Sequence, residues 1–386
     1  MPSIAPIVIV GAGMAAYSVA REFRKLDKVT PLLLISGDAG HAYAKPMLSN
    51  AIALGKGAHQ LVSHSAEQMA QQLGAVVLTA TRVTAIDSSA HTVTTGAGSF
   101  DYSRLVLALG AEPIRVPVAG DAATEVLSVN HLDDYAELRS RLERIGGPAH
   151  VAIIGAGLIG CEFADDLLAG GHSVTLIDPN PRPLAALAAP SLSQGLANAW
   201  KGRAVRLKLG TTVASVERAS DALRVLTADG ESLTADMVLS AVGLRPSTAL
   251  AKAALIATAR GIVVDGFGQT SASDIFALGD CAEYTTATGS AVMPYVAPLM
   301  AAARAIASTL AGTPLRIDLK HDPVIVKTPS YKLALAPPPQ GAAGAWVDEV
   351  DGDRIIARFV DAAGALRGFG LSAHTPALRQ KLLAEM

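Results

Sequence analysis

Short aliphatic runs alternate along most of the chain with amphipathic stretches of helical period, the pattern of successive strand–helix–strand units. Residues 7–10 read Ile-Val-Ile-Val, a strand buried on both faces. Gly11-Ala12-Gly13 follows, then a helix over 14–26 in which Val19, Phe23 and Leu26 recur at helical spacing between Arg21, Glu22, Arg24 and Lys25. A second strand is predicted over 32–35. The same order returns far downstream. A strand over 151–154 leads into Gly155-Ala156-Gly157-Leu158-Ile159-Gly160 and a helix to Ala169, which Gly170-Gly171 end. A strand over 174–177 then stops at Asp178-Pro179. Further strands are predicted over 105–109, 237–242, 262–264 and 275–278, the first two closing on Gly110 and Gly243.

The tail from Arg316 changes style. It carries strands over 324–326 and 355–359, turns at Asp351-Gly352 and Ala363-Gly364, and a Pro337-Pro338-Pro339 loop. The expected class is therefore α/β: two Rossmann-like dinucleotide-binding domains and a small C-terminal α+β domain. Pro and Gly cluster over 111–117 and 243–246. They divide the chain into a discontinuous first domain, 1–112 with 243–315, a second over 113–242, and the tail over 316–386.

Composition narrows the choices. Half of the 386 residues are hydrophobic and 17% are charged, enough to bury a large core. A formal net charge of -2 leaves no general footprint for nucleic acid. The opening MPSIAPIVIVGAG lacks a basic leader and a cleavage-like site, and the uncharged stretch 285–303 holds Pro294 and Pro298, so neither export nor a membrane span is expected. Cys161 and Cys281 are far apart and form no Cys-x-x-Cys pair, which fits a reduced, cytoplasmic protein. No metal site is expected.

The glycine patterns carry the chemistry. In Gly11-x-Gly13-x-x-Ala16 the first glycine permits a tight turn, the second admits a pyrophosphate, and the third, small position lets helix and strand pack closely. Gly155-x-Gly157-x-x-Gly160 is a complete second copy. Asp178 at the end of its next strand suits a ribose 2′-hydroxyl and repels a 2′-phosphate, which favours NADH over NADPH, although Arg182 nearby works against that preference. A plain strand-ending turn is the alternative for Asp178. In the first copy the matching position reads Ser36-Gly37-Asp38, so Ser36 takes the ribose weakly or Asp38 reaches it from the loop. Gly279-Asp280 closes another strand, where a carboxylate can accept from a ribityl hydroxyl.

In order, GAGMAA, LVLALGA, GAGLIGCEFA, SAVGLRP and TSASDIFALGDCAE resemble the FAD-dependent pyridine-nucleotide-disulfide oxidoreductase superfamily over about residues 5–312. His41 to Ser49 is similar to the Tyr-x-Arg/Lys-Pro-x-Leu-Ser segment of its ferredoxin- and rubredoxin-reductase branch. GAEPIRVP, GLIGCEFA, YVAPLMAAARA and VIVKTP resemble bacterial rubredoxin–NAD reductases. Disulfide reductases place cysteines on the helix after the first unit, where this chain has Lys45-Pro46.

The resemblance implies FAD and NADH as cofactors and rubredoxin as acceptor, with hydride passing from NADH to FAD and electrons leaving singly. By the same resemblance Gly11, Gly13, Met14 and Ala15 hold the FAD pyrophosphate. Ser36 and Gly37 lie by the adenosine ribose, and Val83 meets adenine through its backbone. Asp280 meets the ribityl chain. Lys45 sits beside the isoalloxazine, with Pro46 beginning an adjoining helix. Val296 precedes a helix over 298–310 whose N-terminus faces the flavin. Glu162 lies where nicotinamide meets flavin, and Lys327 approaches from the tail. Bland alternatives stand beside these: Pro298 starting a core helix, Lys327 as a solvated strand end, and Glu162 complementing a helix dipole. No covalent catalytic residue is implied. A ferredoxin or flavorubredoxin reductase is the nearest alternative, and a non-enzymatic NADH/FAD redox sensor is the reading from another class. A monomer is expected, because a transient electron carrier needs only a small interface.

Overall fold

Buried aliphatic strands become parallel sheets in the computed structural model, which describes residues 5–286, 289–320 and 322–386. Residues 1–4 of the opening segment and residues 287–288 of the 285–303 stretch lie outside the described residues. The chain forms two units, Met1–Ala44 with Leu61–Glu112 and Leu244–Lys320, and Lys45–Gln60 with Pro113–Gly243 and His321–Met386.

In the first unit a five-stranded parallel sheet runs Ile275–Ala277, Arg104–Leu107, Ile7–Val10, Leu32–Ile35, Val76–Leu78. Every residue of Ile7–Val10 and Leu32–Ile35 is buried, as the unbroken aliphatic runs require of strands covered on both faces. The Met14–Leu26 helix keeps its predicted bounds and buries Val19 and Phe23. Leu26 departs from the expected apolar face and is 59% exposed. The helix ends at Asp27, whose carboxylate accepts the N–H groups of Val29 and Thr30 at 2.8 Å each and turns the chain away from the core. The later helix spans Val296–Leu310, starting two residues before Pro298. Proline is tolerated there because a first-turn N–H has no intrahelical acceptor.

In the second unit a four-stranded parallel sheet runs Val205–Leu209, Ser173–Asp178, His150–Ile154, Met237–Ser240. The Leu158–Ala169 helix packs against it and is buried from Gly160 to Leu167. Gly170 caps that helix, and Gly171 at φ +87° reverses the chain. The helix expected to begin at Pro46 is a short 3₁₀ helix in this unit, Lys45–Ser49. The tail is a five-stranded antiparallel sheet, Val324–Val326, Leu333–Ala336, Leu366–Ser372, Arg354–Val360, Ala345–Asp351, followed by the Pro376–Glu385 helix. Two glycines seat it against the Pro190–Ala199 helix. A Cβ at Gly195 would stand 2.3 Å from the Tyr331 hydroxyl, and one at Gly370 would stand 2.4 Å from a Leu192 methyl. Among the described residues no helix is long and apolar enough to cross a membrane.

A half-buried imidazole ties the helix end to the sheet. Ala149 donates its N–H to Nδ1 of His172 at 3.1 Å, which requires that nitrogen unprotonated. Burial, and secondarily Arg139, holds His172 below its usual value of 6.5. The folded state thus binds this proton less readily than the unfolded chain. The stability from His172 is present above the unfolded value and is lost as pH falls through the folded one. A melting series from about pH 7.5 to about pH 5 should show the wild type losing on the order of 2 °C more than His172→Gln, which keeps an acceptor but no titration. Parallel curves would remove His172 from the acid response.

Candidate functional site

The first glycine turn joins Ile7–Val10 to the Met14–Leu26 helix. Gly11 adopts φ +121°, and a Cβ there would meet the Ala108 carbonyl oxygen at 2.4 Å. Gly13 caps the helix with no side-chain hydrogen bond, no acidic residue occupies the first turn, and no described atom lies within 4 Å of a Cβ built on it. The helix start therefore offers free N–H groups and a positive dipole end to an open space, a cradle suited to a pyrophosphate. Gly279, at φ +76°, would bring a Cβ to 2.9 Å from Cβ of Ala15. That close approach sets the Gly279–Cys281 turn, and with it Asp280, against the first turn of the helix. Gly279 donates its N–H to the buried Tyr284 hydroxyl at 2.9 Å, which fixes the turn from behind.

The two candidates at the end of Leu32–Ile35 are one hydrogen-bonded pair. Ser36 donates to Oδ1 of Asp38 at 2.6 Å, and the same oxygen accepts the Gly40 N–H at 2.8 Å. Beside Gly37 stands a residue the sequence reading did not pick, Arg82, whose guanidinium is 3.7 Å from where a Gly37 Cβ would be. Its only sequence signal is adjacency to Val83. Val83 itself is buried at the start of Val83–Asp87, where the strand register shifts. Tyr295 caps the Val296–Leu310 helix without a side-chain hydrogen bond, and Val296 is 48% exposed, so this helix start is also open.

The second glycine turn repeats the first more tightly. Gly155 has φ +105° and would place a Cβ 2.7 Å from the Ala241 oxygen. Gly157 caps Leu158–Ala169 over open space, and a Cβ at Gly160 would stand 2.0 Å from the Gly155 oxygen. Asp178 braces this turn. Oδ2 accepts the Ala156 N–H at 2.7 Å, while Oδ1 accepts the backbone and side-chain N–H groups of Asn180 at 2.8 Å each. A carboxylate has about four acceptor positions, so the bracing does not exhaust it.

The Leu158–Ala169 helix carries three buried carboxylates, each holding another segment of the second unit. Glu162 is 1% exposed. Its Oε1 accepts the Lys327 backbone N–H at 3.0 Å, and its Oε2 accepts from Ser49 Oγ at 2.7 Å and Lys327 Nζ at 2.5 Å. Lys327 Nζ also donates to the Pro46 carbonyl at 2.7 Å and to Ser49 Oγ at 3.1 Å. The structure thus joins Glu162 and Lys327, two predicted residues, and adds Ser49. Lys327 is no solvated strand end. Lys45 is half-buried in the same 3₁₀ turn as Pro46 and Ser49.

Asp165 accepts from Trp200, Arg203 and Ser330. Asp166 accepts the N–H groups of Ile52 and Ala53 at 2.9 Å each, and burial raises its carboxyl despite those bonds. Neither carboxylate stands out in the sequence, because their partners lie far away along the chain.

Both cysteines are buried. Desolvation pushes the Cys281 thiol up to about 11 and the Cys161 thiol higher still, so neither is a thiolate at neutral pH. No group of His, Cys, Asp or Glu among the described residues is arranged to hold a metal.

Comparison with known proteins adds the following. Residues 5–305 match the model of the pyridine nucleotide-disulphide oxidoreductase family, and residues 316–386 match that of the rubredoxin binding C-terminal domain. The chain is 42% identical over 382 residues to a rubredoxin-NAD(+) reductase of Alcanivorax borkumensis, covering 99% of this chain and 98% of that protein. It is 37% identical over 380 residues to a nitric oxide reductase FlRd-NAD(+) reductase of Aeromonas hydrophila, covering 97% and 96%. A solved ferredoxin reductase from Rhodopseudomonas palustris shares the fold with a TM-score of 0.86 at 28% identity, covering 95% of this chain and 91% of the other.

Proposed function

This chain belongs to the pyridine nucleotide-disulphide oxidoreductase family, and from that premise we propose that it takes electrons from NADH onto FAD and delivers them to rubredoxin. The observation that carries the acceptor is the match of the whole tail, 316–386, to a rubredoxin-binding domain. The cofactor pair rests on two open, uncapped glycine turns, one in each unit. Bound FAD supplies the exchange between a two-electron donor and a one-electron acceptor.

The residues of the chain bind, orient and neutralise. Gly13, Met14 and Ala15 would present backbone N–H groups to the FAD pyrophosphate, and Gly11, whose own N–H is given to the Ile35 carbonyl at 2.8 Å, would hold it by shaping the turn. Ser36, paired with Asp38, and Gly37 take the adenosine ribose, Val83 the adenine, and Asp280 the ribityl hydroxyls. The open start of the helix at Val296 supplies positive potential for the negative edge of a reduced flavin. Gly155, Gly157 and Gly160 hold the NADH pyrophosphate, and Asp178 holds its adenosine ribose. By the family resemblance, Lys45, Glu162 and Lys327 would act on bound flavin. Glu162 and Lys327 form a fixed ion pair, whose carboxylate also accepts from Ser49 Oγ and from the Lys327 backbone N–H. No side chain acts as nucleophile or general base, so rate comes from positioning and field. In this reading 1–112 with 243–315 is the FAD domain, 113–242 the NADH domain and 316–386 the acceptor domain. The same reading makes the protein a cytoplasmic monomer, with two isolated cysteines and a transient electron carrier that needs only a small interface.

Stopped-flow mixing of the NADH-reduced protein with rubredoxin, and separately with a plant-type ferredoxin, tests the acceptor. Rapid oxidation by rubredoxin alone is expected. If NADH bleaches the flavin and neither carrier accepts electrons, the rubredoxin assignment fails. The Aeromonas relative favours one further reading, in which the acceptor is the rubredoxin-like domain of a larger flavoprotein. Faster oxidation by such a domain than by free rubredoxin would select it.

A further inference from the structure

Glu162 and Asp165 lie three residues apart on the Leu158–Ala169 helix, and so point to one side of it. Lys327 and Ser330 are likewise three apart. The two pairs are joined rung to rung. Glu162 Oε1 accepts the Lys327 backbone N–H at 3.0 Å, and Asp165 Oδ2 accepts the Ser330 backbone N–H at 3.0 Å. Asp165 is 1% exposed. Its Oδ1 also accepts from Trp200 Nε1 at 2.8 Å, from Arg203 Nη1 at 3.3 Å and from the Ser330 hydroxyl. Arg203 donates to Ser330 Oγ as well. The intervening turn closes on itself, Thr328 Oγ1 donating to the Tyr331 carbonyl at 2.7 Å and Tyr331 N–H to the Thr328 carbonyl at 3.0 Å.

We propose that Asp165 is a positioning residue: with Trp200 and Arg203 it anchors the segment after Lys327 and thereby keeps the Lys327 ammonium docked on Glu162, Ser49 and the Pro46 carbonyl. A buried carboxylate is costly unless it is paired and hydrogen-bonded, and an apolar side chain would fill the space without that cost. What an apolar residue cannot do is grip a backbone N–H on a neighbouring segment. Holding Ser330 sets the height of the whole 327–330 turn along the helix. A lysine with a long flexible stem loses considerable rotamer entropy when fixed, so its anchor must come from the backbone that carries it. The inference rests on the reading that puts Lys327 beside the flavin, but its first test is independent of that reading.

The test uses flavin-loaded wild type, Asp165→Asn and the milder Ser330→Ala, which keeps the N–H rung if the first variant folds poorly. Acylation of the Lys327 amine by a water-soluble active ester is followed by peptide mass spectrometry, with exposed Lys25 as internal reference. Loss of a charge-assisted anchor should speed acylation of Lys327 about tenfold in Asp165→Asn and roughly threefold in Ser330→Ala, leaving Lys25 unchanged. The second readout is the midpoint potential of the bound flavin. It should move negative in Asp165→Asn, as a cation leaves its post, and Lys327→Met should reproduce the shift. Unchanged acylation of Lys327 in both folded variants overturns the proposal. So does a potential shift from Asp165→Asn that persists undiminished in the Lys327→Met background, because Asp165 would then act by another route. If Lys327→Met leaves the potential where it was, the placement of Lys327 at the flavin fails, and the acylation rates still decide the role of Asp165.

Discussion

Gly11→Ala yields a folded protein that is purified with little or no flavin. At φ +121° an alanine is strained by on the order of 1–3 kcal/mol before any contact is counted. Its methyl would also lie 2.4 Å from the Ala108 carbonyl oxygen. That obstacle is backbone, held in the sheet by the Ala108 N–H bond to the Val10 carbonyl at 3.0 Å, so no rotamer change relieves it. The turn must move, and the free N–H groups at the start of the Met14–Leu26 helix move with it. A misplacement of about 1 Å at such a site costs on the order of a hundredfold in a positioned interaction. The ratio of visible flavin absorbance to protein absorbance, and titration of the apoprotein with FAD, measure the loss. Gly13→Ala is the informative companion. It meets no described atom within 4 Å, so it should fold and melt like the wild type yet bind FAD more weakly, its methyl projecting into the cradle. Full flavin content in Gly11→Ala would show that the pyrophosphate is held elsewhere.

The contrast between what the chain's pattern reveals and what it hides is plain at these residues. Ile7–Val10 and Met14–Leu26 are legible to the residue because an all-aliphatic run, a glycine pair and a helical apolar period meet within a short window. The second turn is legible for the same local reasons, whereas of the five tail strands only Val324–Val326 and Arg354–Val360 are read from the sequence. Leu26 misled because helical spacing says nothing of where the helix leaves the core. At Lys45–Ser49 proline marks the first turn of a helix without fixing that it is a short 3₁₀ one. Asp165 and Asp166 look like the polar face of an amphipathic helix and are buried at 1% and 4% exposure. Only the distant Trp200, Arg203, Ser330, Ile52 and Ala53, brought in by the fold, make that burial tolerable. Arg82 escaped notice for the same reason, and Ser49, although it closes the family-like segment from His41, finds its partners Glu162 and Lys327 only in the fold. Glu162 and Lys327 came to notice through family resemblance, and their hydrogen bonds to each other supply the physical link that spacing could not.

Gly160→Ala separates the two halves of the proposed reaction. A methyl at Gly160 would stand 2.0 Å from the Gly155 oxygen, and Gly155 is itself confined, with a Cβ position 2.7 Å from the Ala241 oxygen. The first copy of the motif has Ala16 at the matching place, fully buried and accommodated, so helix and strand approach more closely in the second copy. The start of the Leu158–Ala169 helix must therefore retreat, carrying with it the N–H groups that would receive the NADH pyrophosphate. Gly11 and its helix belong to the other unit, so flavin should be retained and the protein should stay yellow. The expected result is a fall of about a hundredfold in kcat/KM for NADH, expressed mainly as weaker NADH binding. Dithionite, which needs no nucleotide site, should still reduce the flavin completely. The dithionite-reduced variant should then pass electrons to rubredoxin at close to the wild-type rate. Unaltered NADH kinetics would detach this glycine turn from the nucleotide. Slow electron exit after dithionite would mean that the Leu158–Ala169 helix, through Glu162 and its hold on Lys327, governs the second half-reaction as well as the first.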